Sequence, residues 1–127
     1  MRFVVQEHHD RTHHFDLRLE KDGICKNWTA HQRLPDRPGV ERLVTQVEDC
    51  DVIVGSFEGT IPDGEHAGQV RIWDQGEYVC HEWGETEIRV DLKGKKLNGE
   101  YALVRAPHLG ERYWLLEKRS KIREVSR

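Results

Sequence analysis

Residues 8–20 read HHDRTHHFDLRLE and bring three kinds of side chain that act on phosphate into one short segment. Four of the eight histidines, His8, His9, His13 and His14, fall within seven positions, and Asp16 and Arg18 follow at once. In an extended strand successive side chains point to opposite faces. His14, Asp16 and Arg18 then project from one side, about 7 Å apart, and Phe15, Leu17 and Leu19 from the other. An imidazole beside a carboxylate is a mixed N/O donor set suited to Mn²⁺ or Zn²⁺. A divalent ion polarises a phosphoryl oxygen, and a guanidinium grips a phosphate through paired N–H bonds. A second imidazole donates a proton or a hydrogen bond in the transition state. Clustered histidines alone carry little weight, because imidazoles are common on ordinary surfaces. The alternation is what gives these a shared face. It points to a phosphate or carboxylate site and leaves the substrate open.

Such a face needs strands to hold it. Val4, Gln6 and His8 share one side of residues 3–8, and a hairpin joining that run to residues 14–20 brings His8 towards Asp16. Residues 87–92 alternate with Ile88, Val90 and Leu92 on one face. In residues 42–47, Leu43, Thr45 and Val47 oppose Arg42, Val44 and Gln46. Turn signals recur at short intervals, among them Asp22-Gly23, Pro62-Asp63-Gly64, Gln75-Gly76 and Lys93-Gly94. Asn98-Gly99 suits a type I′ turn and predicts a tight hairpin flanked by Leu97 and Tyr101. The run Trp114-Leu115-Leu116 predicts a strand buried on both sides. No stretch keeps a helical period over three turns, and residues 38–43 are the one place for a short helix. The pattern predicts an all-β fold, a compact antiparallel β-barrel of short strands with at most a short helix. It spans residues 1–120 as one domain, with a polar tail at residues 121–127.

A chain of 127 residues suits one domain. With 20 basic and 23 acidic residues its formal net charge is −3, so it is no general basic binder of nucleic acid. Phosphate recognition has to come from locally placed arginines and lysines. Cys25, Cys50 and Cys80 are widely spaced and form no CxxC pair. That argues against a zinc knuckle or a disulfide framework and fits a reducing compartment. No apolar run reaches membrane-spanning length, and the first residues lack the apolar stretch of a signal peptide. A soluble, cytoplasmic monomer is expected.

Taken together the motifs resemble one known family. Gln6-Glu7-His8 followed by His14-Phe15-Asp16-Leu17-Arg18-Leu19-Glu20 is similar to the opening motif of the 3′-phosphoesterase domain of bacterial and archaeal DNA ligase D. The likeness continues through Lys26-Asn27-Trp28, Val47-Glu48-Asp49 and Phe57-Glu58-Gly59-Thr60-Ile61-Pro62-Asp63-Gly64-Glu65. It ends in Trp73-Asp74-Gln75-Gly76, Lys96-Leu97-Asn98-Gly99, Leu103-Val104-Arg105 and Trp114-Leu115-Leu116. The order holds over nearly the whole chain, and the combination is far more specific than any one piece.

The resemblance implies a β-barrel enzyme that heals 3′ ends during DNA break repair. It removes a 3′-terminal ribonucleoside and then a 3′-phosphate to leave a 3′-OH, with Mn²⁺, or alternatively Zn²⁺ or another divalent transition metal. By position, His8 and Asp16 match metal ligands, His14 and Arg18 match residues that engage the reacting phosphate, Arg42 matches a further phosphate-contacting arginine, and Gln6 lines the same site. His9 and His13 stay outside the expected site. The implied partners are 3′ ends of DNA or of DNA/RNA primer-templates. A separate ligase and polymerase would act in trans on a stand-alone version of the domain.

The chain also departs from the family pattern. The third metal ligand is usually a histidine after the Val-Glu-Asp triplet, and here that position is Cys50. A thiolate is softer and suits Zn²⁺ better than Mn²⁺. Three readings stand side by side: Cys50 binds the metal, another histidine (His31, His66 or His81) substitutes, or the site is weakened. Gln32 stands where the family usually has Lys, and Val54 where it often has Tyr. A non-catalytic module that binds DNA ends and a hydrolase for another phosphate ester are the rival expectations. Phe57-Glu58-Gly59 and Trp73-Asp74 have a structural reading, as the aromatics and turn residues of a small barrel.

Overall fold

Period-2 patterning in the first two strands sorts the chain into an apolar side and a polar side, and the rest of the fold closes around the apolar one. The computed structural model describes residues 1–120, so the expected tail at residues 121–127 lies outside the described residues. In chain order the elements are β1 (Arg2–His9), β2 (His13–Lys21), β3 (Ile24–Ala30), β4 (Glu41–Cys50), a single 3₁₀ turn (Val52–Ser56), β5 (Gly59–Ile61), β6 (Gly68–Trp83), β7 (Glu87–Lys93), β8 (Asn98–Arg105) and β9 (Tyr113–Lys118). The sheet runs β1-β2-β3-β4-β9-β8-β7-β6, and pairing of β6 back onto β1 closes an eight-stranded antiparallel barrel. β5 is a short extra strand laid along β6. Closure removes the open edges that would otherwise invite pairing with other chains.

The barrel interior takes the alternate residues of each strand. Phe3 and Val5, Phe15, Leu17 and Leu19, Trp28, Val44, Tyr78, Ile88, Val90 and Leu92, Tyr101 and Leu103, and Trp114 and Leu116 form one buried cluster. The predicted inward faces of β2 and β7 are therefore the observed ones. In β4 the inward residue is Val44, whereas Leu43 is exposed. β9 alternates rather than being buried on both sides: Trp114 and Leu116 are buried and Leu115 only half-buried.

Three local expectations are corrected. Residues 38–43 form no helix; Pro38 makes an isolated bridge to Lys118, and β4 begins at Glu41. The helical turn lies instead at Val52–Ser56, where the Asp51 side chain accepts a hydrogen bond from the Ile53 N–H (3.1 Å). Gln75-Gly76 is not a turn but the middle of β6. A Cβ on Gly76 would stand 2.2 Å from the Lys93 carbonyl oxygen, so glycine is needed there for close approach of strands, not for chain reversal. The β7–β8 hairpin turns at residues 94–97, and Asn98 and Gly99 are already in β8, with Lys93 paired to Asn98.

Asp74 explains that last shift. Its buried carboxylate reaches from β6 into the β7–β8 turn and accepts from the backbone N–H groups of Lys95 (3.0 Å), Lys96 (3.0 Å) and Leu97 (2.8 Å), besides that of Gln75 (2.9 Å). Three consecutive donors fixed by one charged acceptor outweigh the local preference of an Asn-Gly pair. Asp74→Ala is expected to lower stability by about 2–4 kcal/mol, because the buried Leu97 N–H and the part-buried N–H groups of Gln75, Lys95 and Lys96 lose their acceptor. Asp74→Asn keeps one acceptor oxygen and loses less. Urea unfolding followed by tryptophan fluorescence measures both.

Candidate metal and phosphate site

The outer face of β1–β2–β3 is unusual for a barrel exterior, since several of its polar side chains are buried. Gln6 is opposite Asp16, and His8 is opposite His14, in the β1–β2 ladder. Asp16 is opposite Thr29, and Arg18 opposite Asn27, in the β2–β3 ladder. The 3₁₀ turn and the segment leading through β5 to His66 arch over this face. They enclose a cavity of about 930 Å³, with the polar residues as its floor and Val47, Ile53, Val54, Phe57 and Ile61 as an apolar wall.

Three donor groups converge on the floor: His8, His14 and Asp16. His8 Nδ1 lies 3.2 Å from His14 Nε2, which lies 3.4 Å from Asp16 Oδ2. Donors around a divalent ion with bonds of about 2.1 Å stand roughly 3.0–3.5 Å apart, so the spacing fits. Two imidazoles and a carboxylate are a donor set for Mn²⁺, Fe²⁺ or Zn²⁺. Surrounding groups hold the donors in place. His8 Nε2 donates to the His66 carbonyl (3.0 Å), which fixes the tautomer with a free lone pair on Nδ1. The Thr29 hydroxyl donates to Asp16 Oδ1 (2.6 Å) and leaves Oδ2 to face His14.

The charges are matched. Burial works to raise the Asp16 carboxyl, but hydrogen bonds from His14 and Thr29 and the nearby His14 and Arg18 charges outweigh it and hold the group below its ordinary value. The hydrogen bond to Asp16 raises His14 above its ordinary value against burial, helped by the charges of Asp16 and Asp10.

Arg18 is positioned by Gln6. The Gln6 amide is almost fully buried, and its Oε1 accepts from Arg18 Nε at 2.6 Å. Its Nε2 donates to the carbonyls of Val54 (2.8 Å) and Phe57 (3.0 Å), which ties the covering turn to the floor. Arg18 Nη2 stands 3.7 Å from Asp16 Oδ2, and Nη1 points at Cys50 Sγ (3.5 Å). Asn27 Nδ2 also reaches Cys50 Sγ, at 3.3 Å, while the buried Asn27 Oδ1 has no protein partner among the described residues.

Of the residues singled out by the sequence, Gln6, His8, His14, Asp16, Arg18 and Cys50 all line the cavity. The grouping within them differs from expectation. His14, expected to act on phosphate, stands with His8 and Asp16 as the third donor, and Cys50 stands against Arg18 and Asn27 instead. Cys50 reaches the cavity through an irregularity in the ladder: Cys25 pairs with Cys50 and Asn27 with Val47, two residues against three. Burial, with Cys50 alongside, pushes the neighbouring Cys25 thiol up to about 11, so it stays protonated. Arg42 is not brought to the cavity. It shares the strand face of Val44, and its Nε donates to the Arg33 carbonyl at 2.7 Å. Of the substitute histidines, His66 contributes its backbone carbonyl, with its side chain exposed. The His31 ring lies 6.1 Å from that of His14, and His81 does not line the cavity. Thr29 and Asn27 are site residues the sequence reading missed. Asn27 stood in the Lys26-Asn27-Trp28 motif without a role, and the signal for Thr29 was cross-strand register, which a single strand does not display.

The family model of the DNA ligase D 3′-phosphoesterase domain matches residues 6–105. The multifunctional non-homologous end joining protein LigD of Mycobacterium bovis is 41% identical over 121 residues, covering 91% of this chain and 16% of the relative. The LigD protein of Mycobacterium tuberculosis, named a multifunctional non-homologous end joining DNA repair protein, matches to the same extent. LigD of Pseudomonas aeruginosa is 36% identical over 125 residues, 93% of this chain and 15% of its own length. The chain thus spans about one sixth of these relatives.

The His14–Asp16 pair sets a pH dependence for the metal-free protein. A depressed carboxylate stabilises the fold above its ordinary value of 3.8 and loses that contribution as pH falls through its folded value. A raised imidazole stabilises below its ordinary value of 6.5 and loses that contribution as pH rises through its folded value. The stability difference between the wild type and Asp16→Asn, measured by urea unfolding in EDTA, is therefore expected to be largest between pH 3.8 and 6.5 and to narrow on either side. In that variant burial acts on His14 with only the Asp10 charge left as counter-charge, and an NMR titration is expected to show the imidazole value falling.

Proposed function

The chain belongs to the DNA ligase D 3′-phosphoesterase domain family, and from that premise and the cavity geometry we propose that it is a metal-dependent phosphoesterase acting on nucleic-acid 3′ ends. The reaction removes a 3′-terminal ribonucleoside, a 3′-phosphate, or both in turn, and leaves the 3′-OH that a ligase or polymerase requires. This places it in DNA break repair by end joining, the activity named for its relatives, with such enzymes as partners. The observation that carries the reading is the convergence of His8, His14 and Asp16 beside Arg18 on the floor of a cavity wide enough for a nucleotide.

His8, His14 and Asp16 would hold the ion, with Mn²⁺ as the first candidate and Zn²⁺ or another divalent transition metal as the alternative. When bound, it supplies Lewis-acid polarisation of a phosphoryl oxygen and offsets developing charge. Arg18 binds non-bridging oxygens through its Nη groups, because Gln6 occupies Nε and sets the plane of the guanidinium. Gln6 is thus a positioning residue, its polar atoms already engaged by the protein. The thiol of Cys50 gives way to an incoming phosphate oxygen, which is the better acceptor for Arg18 and Asn27. The apolar wall of Val47, Ile53, Val54, Phe57 and Ile61 takes the terminal base. Arg42 has no phosphate contact in this mechanism. Because His8, His14 and Asp16 converge without Cys50, the departure at that position no longer argues for a non-catalytic end-binding module.

Incubation with Mn²⁺ and a primer–template ending in a single ribonucleotide is expected to release the nucleoside and then phosphate. His8→Ala and Asp16→Ala are expected to abolish turnover while circular dichroism stays unchanged, and Arg18→Ala to slow it by about 100-fold or more. Duplex binding without turnover by the wild type would favour the end-binding module. Full activity in either ligand variant would refute the site. Cys50→Ala is expected to leave the Mn²⁺ affinity unchanged, and a tenfold loss would return Cys50 to the ligand set.

A further inference from the structure

The hairpin that carries His8 and His14 bears a second set of donors on its other side. His9 and His13 are direct cross-strand partners at the end of the β1–β2 ladder, closed by the three residues Asp10, Arg11 and Thr12. Glu7 lies two residues before His9 and so shares its face. The two imidazole rings stack, with centroids 4.2 Å apart and planes 15° apart. Both Nε2 atoms converge on one oxygen: Glu7 Oε2 is 2.6 Å from His13 Nε2 and 3.2 Å from His9 Nε2. The histidine side chains are 51% and 50% exposed and the Glu7 side chain 17%, so the group is open to solvent yet built on a packed carboxylate. None of the three lines the phosphate cavity.

We propose that Glu7, His9 and His13 form a second divalent transition-metal site, selective for Zn²⁺ and other imidazole-seeking ions. Two imidazoles and one carboxylate, with the remaining positions left to water, are a known donor set for Zn²⁺. Hard ions such as Mg²⁺ and Ca²⁺ find too few oxygens here. Bonds of about 2.1 Å need donors roughly 3.0–3.5 Å apart, so the shortest contact has to open by less than about 1 Å, within the reach of a half-exposed histidine. Paired strands already hold the histidines side by side, which removes most of the ordering cost. An ion at this position cross-links β1 to β2 at their turn. It stiffens the hairpin whose opposite face carries His8 and His14, each adjacent in the chain to a ligand of the second site.

Isothermal titration of Zn²⁺ tests the site on three proteins: the wild type, His9→Gln/His13→Gln and His8→Ala/Asp16→Ala. The expected result is two ions per chain for the wild type and one for each double variant. His9→Gln/His13→Gln should keep its Mn²⁺-dependent activity. In the cavity variant, Zn²⁺ should shift the ring ¹⁵N resonances of His9 and His13. One ion in the wild type, unchanged by His9→Gln/His13→Gln and lost in His8→Ala/Asp16→Ala, overturns the second site and leaves the proposed function intact. Failure of the cavity alone leaves one ion that disappears with His9 and His13. Glu7→Gln should weaken the second site at least tenfold without removing a histidine, and unchanged affinity would also count against it.

Discussion

The register between β1 and β2 is the constraint on which the rest depends. With Gln6 opposite Asp16 and His8 opposite His14, Phe3, Val5, Phe15, Leu17 and Leu19 point into the barrel and Gln6, His8, His14, Asp16 and Arg18 point out into the cavity. A slip of one residue would exchange the faces, burying Asp16 and Arg18 in the core and exposing Phe15, Leu17 and Leu19. The burial of these three side chains at 5%, 2% and 0% exposure makes that exchange prohibitively costly. Stability of the core and alignment of the site are therefore one property of one ladder.

A barrel exterior normally meets water, and the polar floor is buried only because the chain between β4 and β6 folds over it. Gln6 makes that cover and floor cohere. A single buried amide donates to the Val54 and Phe57 carbonyls above and accepts from Arg18 beside it, so each of its polar atoms keeps a partner despite burial. Unpaired charges under the same cover would be costly. Here Asp16 faces His14, Arg18 and the Thr29 hydroxyl, and the mutual support appears as a depressed carboxylate and a raised imidazole. The environment that shifts these groups is also what would favour binding of a cation and an anion side by side.

Cys50 shows how a local irregularity redistributes roles. Strict alternation along β4 would send residues 47 and 50 to opposite faces. The extra residue between them turns both towards the cavity, and the sulfur ends against Arg18 and Asn27, apart from the three-donor cluster. Its softness as a ligand then matters less than its weakness as an acceptor, since the guanidinium can donate instead to a better acceptor. Arg42 is the converse. It lies in a strand that reaches the site, but on the face that turns towards Val44.

Sequence alone was enough for what depends on local periodicity: the all-β class, the inward faces of β2 and β7, and the shared face of His14, Asp16 and Arg18, to which the family resemblance added Gln6 and His8. Those features repeat every two residues, so a strand displays them without its partners. Tertiary structure decided what depends on distance between strands. It placed His14 among the donors, brought in Thr29 and Asn27, left Arg42 outside, and moved the β7–β8 turn to residues 94–97 by way of the Asp74 carboxylate. It also gathered Glu7, His9 and His13, on the opposite face of the hairpin from His8 and His14, into a cluster of their own. Register, bulges and long-range hydrogen bonds are properties of pairs of strands, and a single strand's pattern does not contain them.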